Sequence, residues 1–240
     1  MPNNRMLPVA ILCGGLGTRL KPITEKIPKA LVEVAGKPFI FHQLEYLGQQ
    51  NIEKVVLCLG HMGEKIEKEV AQNNFNGLQI QYSYDGMPLK GTGGAIKKAI
   101  PLLGDNFYVQ YGDSFLPVKY KPIEHFYFES NKPALMTVFR NNNKWDKSNV
   151  IFDNYSISEY NKKEFKANMH FIDYGLSILS KSLFDSYSDS ESFDLSDLYH
   201  QLSILGNLAG FEVVERFYEI GSHEGLEESE MYLLSLSKGV

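Results

Sequence analysis

The stretch Leu7-Pro8-Val9-Ala10-Ile11-Leu12-Cys13-Gly14-Gly15 decides the fold of this 240-residue chain. It begins with a continuous apolar run, which is typical of a strand in a parallel sheet that helices cover on both faces. The two glycines end the run and indicate a turn. Residues 54–59, Lys-Val-Val-Leu-Cys-Leu, repeat this texture. We therefore predict a second strand of the same sheet there.

Amphipathic segments separate the predicted strands. Residues 39–50, 63–72 and 94–103 place apolar side chains at helical spacing. Residues 78–82 and 106–111 have the patterns of strands. Strand, helix and strand repeated in this way predict a Rossmann-like, doubly wound α/β sheet with right-handed crossovers.

The second half of the chain has a different texture. Residues 133–140, 149–152 and 171–179 are strand-like and lie between polar stretches, which predicts a small, strand-rich lid on the same, mixed sheet. Residues 225–235 have the pattern of a terminal amphipathic helix. We predict a single domain with three parts: an α/β half at about 7–115, a lid-bearing half at about 116–222 and a C-terminal helix at about 223–240.

Composition and charge exclude several classes of protein. The formal net charge of −5 argues against a protein that binds nucleic acid or a membrane surface over a broad basic face. No apolar stretch approaches the roughly 20 residues of a membrane-spanning helix. Cys13 and Cys58 both lie in apolar runs, which predicts buried, reduced thiols and no disulfide framework or four-ligand zinc site. We expect a cytoplasmic protein with no nucleic-acid or membrane partner.

A glycine-rich loop follows the first predicted strand. In Gly14-Gly15-Leu16-Gly17-Thr18-Arg19 the glycines allow backbone N–H groups to wrap an anion, and the cations Arg19, Lys21 and Lys29 follow. This pattern predicts a cradle for a triphosphate. Leu20 stands where a dinucleotide-binding fingerprint needs its third glycine, and no Gly-Lys-Ser/Thr closes a Walker loop. A plain tight turn is the alternative, but it explains neither the glycines nor the charges.

Two further segments come at strand ends, where ligands of open α/β sheets bind. They are residues 85–94 and Gly112-Asp113. Asp113 suits a carboxylate that holds Mg²⁺, and an Asx turn is the structural alternative.

These segments together resemble the sugar-1-phosphate nucleotidylyltransferase family. The first part of the resemblance is the glycine-rich loop with Pro22 and Thr24, followed by Pro28-Lys29-Ala30-Leu31 and Val34-Ala35-Gly36-Lys37-Pro38. Three later motifs extend it along nearly the whole chain: Leu89-Lys90-Gly91-Thr92-Gly93-Gly94-Ala95, in which Lys90 departs from the family pattern, Tyr111-Gly112-Asp113-Ser114, and Tyr218-Glu219-Ile220-Gly221-Ser222.

The resemblance implies a reaction. The phosphate of a sugar 1-phosphate would attack the α-phosphorus of a nucleoside triphosphate, giving a nucleotide-sugar and pyrophosphate with Mg²⁺ as cofactor. The first half would bind the nucleotide and the lid-bearing half the sugar phosphate. A phosphate dianion is already a nucleophile, so the reaction requires alignment and charge neutralisation and needs no general base.

The resemblance also implies roles for individual residues. Arg19, Lys29 and Lys162 are expected to be catalytic, and Asp113 and Glu219 to hold the metal ion. Glu219 stands where the family usually has aspartate, which puts the geometry of the metal site in doubt. The nucleotide is expected to contact Leu12, Gly14, Gly15, Gly17, Thr18, Arg19, Asp85, Gly91, Thr92 and Gly93.

The sugar phosphate is expected to contact residues of the lid-bearing half and the strand end before Asp113. These residues are Gly112, Glu159, Asn161, Asp173 and Gly175. Asn161 replaces a glutamate of the family motif, so the sugar contact is expected to differ. Lys163 competes with Lys162 for the phosphate-binding role, and an ordinary exposed lysine is the alternative for either. A β-turn is the alternative for Asp173-Tyr174-Gly175.

The short single-domain form most resembles the branch that contains D-glycero-D-manno-heptose 1-phosphate guanylyltransferases and mannose-1-phosphate enzymes. This favours GTP, with UTP second, and a role in nucleotide-sugar and polysaccharide biosynthesis. Two alternatives stay open: uridylyl or cytidylyl transfer to an amino-sugar 1-phosphate or a non-sugar phosphate, and a non-catalytic nucleotide-sugar-binding regulator. Self-association into a homo-oligomer is also left open.

Overall fold

The computed structural model describes residues 5–75, 77–86, 88–189 and 191–238. Residues 1–4, and Met87 and Ser190 within two predicted loops, lie outside the described residues. The strands are β1 (Val9–Leu12), β2 (Glu33–Val34), β3 (Lys37–Pro38), β4 (Lys54–Leu59), β5 (Gln79–Tyr84), β6 (Asn106–Tyr111), β7 (Ser114–Phe115), β8 (Ala134–Arg140), β9 (Val150–Asp153), β10 (Ser156–Tyr160), β11 (Phe171–Ser180), β12 (Leu208–Val213) and β13 (Tyr218–Glu219). The α-helices are α1 (Phe39–Gln49), α2 (Gly63–Ala71), α3 (Gly91–Leu103), α4 (Tyr120–Ser130), α5 (Leu195–Ile204) and α6 (His223–Lys238).

One nine-stranded sheet runs through both halves, in the order β5-β4-β1-β6-β11-β8-β12-β10-β9. In its first part β1 pairs in parallel with β4 on one side and with β6 on the other, and β4 pairs in parallel with β5. The expected doubly wound arrangement is confirmed. Because the chain passes from one side of β1 to the other, the carboxyl ends of β1 and β6 form a switch point, where ligands of such sheets bind.

The second half extends the same sheet with mixed strand directions. β11 is antiparallel to both β6 and β8, β12 is parallel to β8, and β10 is antiparallel to β12 and β9. The expectation of a mixed sheet is confirmed.

Helices cover both faces of the sheet, which explains the uninterrupted apolar strands. One buried cluster joins Leu44 of α1, Ile66 of α2 and Ile123 of α4 to the sheet. On the other face, Ile96 of α3 and Leu198 of α5 pack in a second cluster. Among the described residues, no helix has the length and apolar character needed to cross a membrane.

Several elements differ from the prediction. α4, α5 and β12 are not expected from the sequence, and α3 begins at Gly91 rather than Gly94. α4 is rich in aromatic residues, whose intrinsic preference is for strands. β12 has a glycine, Gly210, in its interior, where glycine weakens a strand. Tertiary packing overrides both local preferences.

The segment Asp173-Tyr174-Gly175 is part of a strand and not a β-turn. It lies inside β11, where the register with β8 shifts between Asp173 and Ser177. Gly175 adopts a φ of 97° there, a conformation that glycine accommodates without strain. Asp173 is still paired with Val138 of β8, and the irregularity begins directly after it.

Candidate active site

A cleft of about 260 Å³ opens at the carboxyl ends of β1 and β6. Many of the predicted site residues line it. They are the nucleotide residues Leu12, Gly14, Gly15, Asp85, Gly91 and Thr92, the catalytic residue Lys29, the sugar-phosphate residue Gly112 and the metal residue Asp113. The structure therefore brings together three segments that are distant in the sequence: the glycine-rich loop, the start of α3 and the Gly-Asp turn.

Lys29 and Asp113 face each other in this cleft. Lys29 Nζ lies 2.6 Å from Asp113 Oδ2, and only 14% of the lysine side chain is exposed. Lys29 begins a short 3₁₀ helix directly after Pro28, which fixes its backbone. Asp113 follows β6, and its other oxygen accepts a hydrogen bond from Ser114 Oγ at 3.2 Å.

Arg19 and Glu219 meet beside this pair, at Gly221. A Cβ atom placed on Gly221 would collide with the Glu219 carboxylate and would lie 2.8 Å from Arg19 Nη2 and 3.1 Å from Lys29 Nζ. These contacts show that two cations and a carboxylate converge on one point of the backbone. Only a residue without a side chain leaves room for them.

Of the two predicted metal-binding carboxylates, Glu219 lies on β13, and Asp113 directly precedes β7, the strand that pairs with β13. β7 and β13 are antiparallel, with Glu219 opposite Ser114, and Ile220 N donates to Asp113 O at 2.9 Å. Glu219 curls back to accept hydrogen bonds from Gly221 N and from Ser222 Oγ. Among the described residues no group of three or more His, Cys, Asp or Glu side chains is arranged to hold a metal ion.

This donor set fits Mg²⁺ rather than a metal that the protein encloses completely. Mg²⁺ usually keeps several waters and binds one or two carboxylates together with substrate phosphates. Asp113 and Glu219 would supply the two carboxylates. The Glu219 side chain is one methylene longer than aspartate, and it folds back so that its carboxylate accepts a hydrogen bond from Gly221 N. The carboxylate therefore stays in this part of the site.

Gln43 of α1 holds the turn that carries Asp113. Its Nε2 donates to Tyr111 O at 3.0 Å and to Ser114 O at 2.7 Å, and the residue is 2% exposed. The turn is thus tied at both ends by one buried amide. Gln43 has no signal in the sequence, because its partners are 68 and 71 residues away in the chain.

Asp85 is a buried carboxylate at the end of β5. It is 5% exposed, and its Oδ1 has no hydrogen-bond partner. Burial raises the pKa of Asp85 from 3.8 to about 6, and the nearby ammonium groups of Lys98 and Lys90 partly oppose this shift. A buried acceptor without a partner is costly unless a ligand satisfies it. Asp85 lines the cleft and is therefore available to a ligand with N–H donors.

The glycines at the start of α3 have a structural role that the sequence analysis did not foresee. Gly93 N and Gly94 N donate to Phe193 O at 2.9 and 3.3 Å. A Cβ on Gly93 would collide with the Phe193 ring. Gly93 is absent from the cleft lining. Phe193, in the segment before α5, accepts the hydrogen bond of its N–H and packs its ring against the glycine.

Thr92 and Asp194 cap each other's helices at the edge of the cleft. Asp194 Oδ1 accepts from Thr92 N at 3.1 Å and from Thr92 Oγ1 at 3.2 Å, while Leu195 N donates to Thr92 Oγ1 at 2.8 Å. This arrangement joins α3 to α5. Asp194 also lines the cleft. The sequence has no signal for this role, because Thr92 is 102 residues away in the chain.

The predicted sugar residues gather around Lys162. Lys162 Nζ lies 4.0 Å from Asp173 Oδ2 and 5.6 Å from the ring centroid of Tyr111, which lines the cleft. Burial raises the pKa of Asp173, and the charge of Lys162 and a hydrogen bond from Gly175 N oppose the shift. Asn149 Oδ1 accepts from Asp173 N at 3.0 Å and fixes that residue.

Glu159 and Asn161 lie in a second groove of about 520 Å³, between residues 161–166 and α5. Lys162 lines this groove as well. Gly17 and Thr18, like Arg19, are absent from the lining of the first cleft. Gly17 O instead accepts from Thr24 Oγ1 at 2.8 Å. Most of the predicted residues therefore line either the first cleft, called here the nucleotide-side cleft, or the second groove, called the sugar-side groove. Lys162 lines the groove and approaches Tyr111 of the cleft.

Comparison with known proteins adds independent findings. The model of the nucleotidyl transferase family matches residues 9–150. The D-glycero-alpha-D-manno-heptose 1-phosphate guanylyltransferase of Campylobacter jejuni is 32% identical over 193 residues, which are 80% of this chain and 84% of that protein. The protein of the same name from Aneurinibacillus thermoaerophilus is 29% identical over 215 residues, 88% of this chain and 91% of that protein.

A solved structure has the same fold. The crystal structure of HddC from Yersinia pseudotuberculosis complexed with GMP-PN matches with a TM-score of 0.81 at 26% identity, over 95% of this chain and 100% of that chain. The likeness of fold therefore includes both halves of the sheet.

Proposed function

The chain belongs to the nucleotidyl transferase family and is a sugar-1-phosphate nucleotidyltransferase; within that class, we propose that it transfers GMP from GTP to a heptose-type sugar 1-phosphate. The products would be a GDP-sugar and pyrophosphate. The observation that carries the proposal is the convergence of Arg19, Lys29 and Glu219 on Gly221, beside Asp113 in the cleft.

The proposed reaction uses the sugar phosphate as its own nucleophile. One of its oxygens forms a bond to the α-phosphorus of GTP, and the bond from that phosphorus to the bridging oxygen of the β-phosphate breaks. Pyrophosphate leaves with the electron pair. The second pKa of a phosphate monoester is about 6, so the nucleophile is a dianion near neutral pH and no proton has to be removed.

Arg19 and Lys29 would neutralise the charge that develops in this reaction. Lys29 is the more buried of the two, and its ammonium is held toward the cleft by Asp113. We propose that it contacts the α-phosphate. Arg19 is exposed, and we propose that it contacts the leaving pyrophosphate. Cations held in a fixed position stabilise a transition state because they need not reorganise during the reaction.

Mg²⁺ bound to Asp113 and Glu219 would neutralise phosphate charge and orient the triphosphate. The two carboxylates would otherwise repel a triphosphate, since both lie close to the predicted phosphate position. Their presence beside Arg19 and Lys29 supports a divalent cation as a third component of the site.

Asp85 supports guanine as the base. Guanine presents adjacent N–H donors on its Watson–Crick edge, and a carboxylate accepts two parallel hydrogen bonds well. The Oδ1 atom of Asp85 is buried and has no partner in the protein. A uracil would bring carbonyl oxygens toward the same carboxylate, which is unfavourable, and this argues for GTP over UTP.

Lys162 and Asp173 would bind the sugar phosphate. The lysine is close enough to both Asp173 and Tyr111 to hold a phosphate at the border of the nucleotide cleft. Asp173 would accept hydrogen bonds from sugar hydroxyls. Cys13 and Cys58 are free thiols, as is usual in a reducing compartment, and we place the reaction in the cytoplasm.

The direct test is an assay of pyrophosphate release with each of the common nucleoside triphosphates and a panel of sugar 1-phosphates that includes heptose and mannose forms. We expect the highest rate with GTP and a heptose 1-phosphate, and a requirement for Mg²⁺. A clear preference for UTP or CTP would overturn the base assignment. Absence of release with every pair would overturn the proposed reaction.

A further inference from the structure

The sugar-side groove extends beyond the position of the sugar phosphate. Its floor and walls come from the end of β10, from residues 161–166 and from one side of α5. On α5 the lining residues are Ser196, Asp197, His200 and Ile204. None of these has a role in the nucleotide site.

The groove is next to the nucleotide-side cleft. Asp194 lines the cleft, and Ser196, two residues further along the chain, lines the groove. Lys162 lines the groove and approaches Tyr111 of the cleft. A molecule held at its phosphate by Lys162 can therefore reach both spaces.

Each lysine of the groove has an acidic neighbour and Glu164 adds a further negative charge, which argues against a second phosphate. Lys166 Nζ pairs with Glu159 Oε2 at 2.6 Å, and Lys163 Nζ pairs with Asp197 Oδ1 at 2.6 Å. Lys162 has Asp173 as its acidic neighbour. With these three cations compensated, a neutral, hydrogen-bonding ligand suits the groove better than an anion.

His200 offers an acceptor in this groove. Its Nδ1 lies 2.7 Å from Tyr160 O, so Nδ1 carries the proton and donates it to the carbonyl. Nε2 of the neutral ring is then an acceptor. Ser196 adds a hydroxyl on the preceding turn of α5, on the same face of the helix.

We propose that this groove binds the exocyclic carbon chain of the sugar and selects sugar 1-phosphates with more than six carbons. This inference rests on the proposed function, and it identifies the exocyclic chain as the part of the substrate that the enzyme recognises. A heptose in its ring form has a two-carbon exocyclic chain with two hydroxyls, whereas a hexose has one carbon and one hydroxyl. Ser196, Asp197 and His200 would contact the additional hydroxyl.

The Lys163–Asp197 ion pair spans the groove from residues 161–166 to α5, and a ligand can replace either partner at little cost. The side chains are 77% and 52% exposed, and exposed pairs contribute little to stability. Sugar hydroxyls can take over the hydrogen bonds of both groups. The pair would then close over the exocyclic chain without a large rearrangement.

The test compares two substrates in groove variants. Values of kcat/KM are measured with D-glycero-D-manno-heptose 1-phosphate and with mannose 1-phosphate, at fixed saturating GTP. His200→Leu removes the acceptor, Ser196→Trp fills the groove, and Gln201→Leu on an exposed position of α5 is the matched control. We expect His200→Leu and Ser196→Trp to lower kcat/KM for the heptose substrate about tenfold or more and to leave the mannose substrate unchanged.

The outcomes separate this inference from the proposed function. An unchanged ratio between the two substrates in both variants would overturn the groove assignment, and so would an equal loss for both substrates in protein with an unaltered melting temperature. If wild-type protein released no pyrophosphate with any sugar 1-phosphate, the proposed function itself would fail. An altered ratio with an unchanged KM for GTP supports the inference.

Discussion

Lys29 Nζ lies 2.6 Å from Asp113 Oδ2, across 84 residues of sequence. The pair connects the first loop of the fold to the turn after β6, at the switch point of the sheet. Each group neutralises the other in the absence of substrate. A triphosphate with a divalent cation offers both groups stronger partners, so we expect Lys29 to exchange Asp113 for a phosphate when substrate binds.

Lys29→Met should lower the rate of nucleotidyl transfer by about 10²–10³, the usual effect of removing one oriented charge donor. The reason is that methionine keeps the length of the side chain but has no charge to place against the α-phosphate. The rate is measured as pyrophosphate release at saturating GTP and sugar 1-phosphate. Lys68→Met, at an exposed position of α2, is the control, and equal rates for the two variants would contradict the assignment of Lys29.

Gln43→Leu should raise the Mg²⁺ concentration needed for half-maximal activity about tenfold, because groups that orient a metal ligand typically contribute 10–100-fold. Leucine cannot donate to the carbonyls of Tyr111 and Ser114, so the turn that carries Asp113 loses its anchor. The measurement is an activity titration with Mg²⁺. Gln49→Leu changes an exposed glutamine of the same helix and should behave as wild type. A lower melting temperature of Gln43→Leu without a shift in the Mg²⁺ titration would show that Gln43 only supports the fold.

GTP affinity should increase with pH through about 6, the pKa to which burial raises Asp85. The charged carboxylate is the better acceptor for guanine, and one unit below the pKa only about a tenth of the carboxylates are charged. Calorimetric titration with GTP across this range tests the expectation. Asp85→Asn provides the reference, because the phosphates of GTP titrate equally in both proteins. A parallel pH dependence in the two proteins would exclude a role for Asp85.

The same carboxyl group should make the fold less stable as pH rises. Its pKa is raised in the folded protein, so between 3.8 and about 6 the folded state binds more protons than the unfolded state. Stability contributed by this group is therefore present below that window and is lost above it. Asp85→Asn should melt at a higher temperature than wild type above the window and should approach wild type below it.

Two glycine substitutions should affect different properties, one the stability of the fold and the other the KM for GTP. Gly93→Ala places a methyl group against the Phe193 ring and should destabilise the fold by about 1–3 kcal/mol through overpacking. Gly15→Ala meets no atom within 4 Å but lines the cleft. It should keep the melting temperature and raise the KM for GTP. Equal melting temperatures for the two variants would contradict the packing role of Gly93.

The nucleotide side of the site was predictable because its signals are local. Lys29 stands in a short motif of the loop that follows β1, Asp113 stands in one directly after β6, and parallel strands bring their carboxyl ends to one edge of the sheet. The doubly wound first part of the sheet was predictable for the same reason, since continuous apolar runs alternate with amphipathic segments there.

Gln43 and Asp194 could not be found in this way. Each acts on a segment at least 68 residues away, and each is an ordinary residue within its own helix or loop. The family resemblance assigned Glu159 and Asn161 to the sugar phosphate and not to the nucleotide. The groove that they line could not be foreseen, because one of its sides is α5, whose local pattern did not predict a helix.

The most direct test of the central claim follows the α-phosphorus itself. Purified protein is incubated with [α-³²P]GTP, Mg²⁺ and equal concentrations of heptose 1-phosphate and mannose 1-phosphate, and the labelled products are separated. The account predicts that label leaves GTP only when a sugar 1-phosphate is present, and that it enters mainly GDP-heptose, with one pyrophosphate for each GDP-sugar. Label that stays in GTP, or that appears as GMP, would contradict the account.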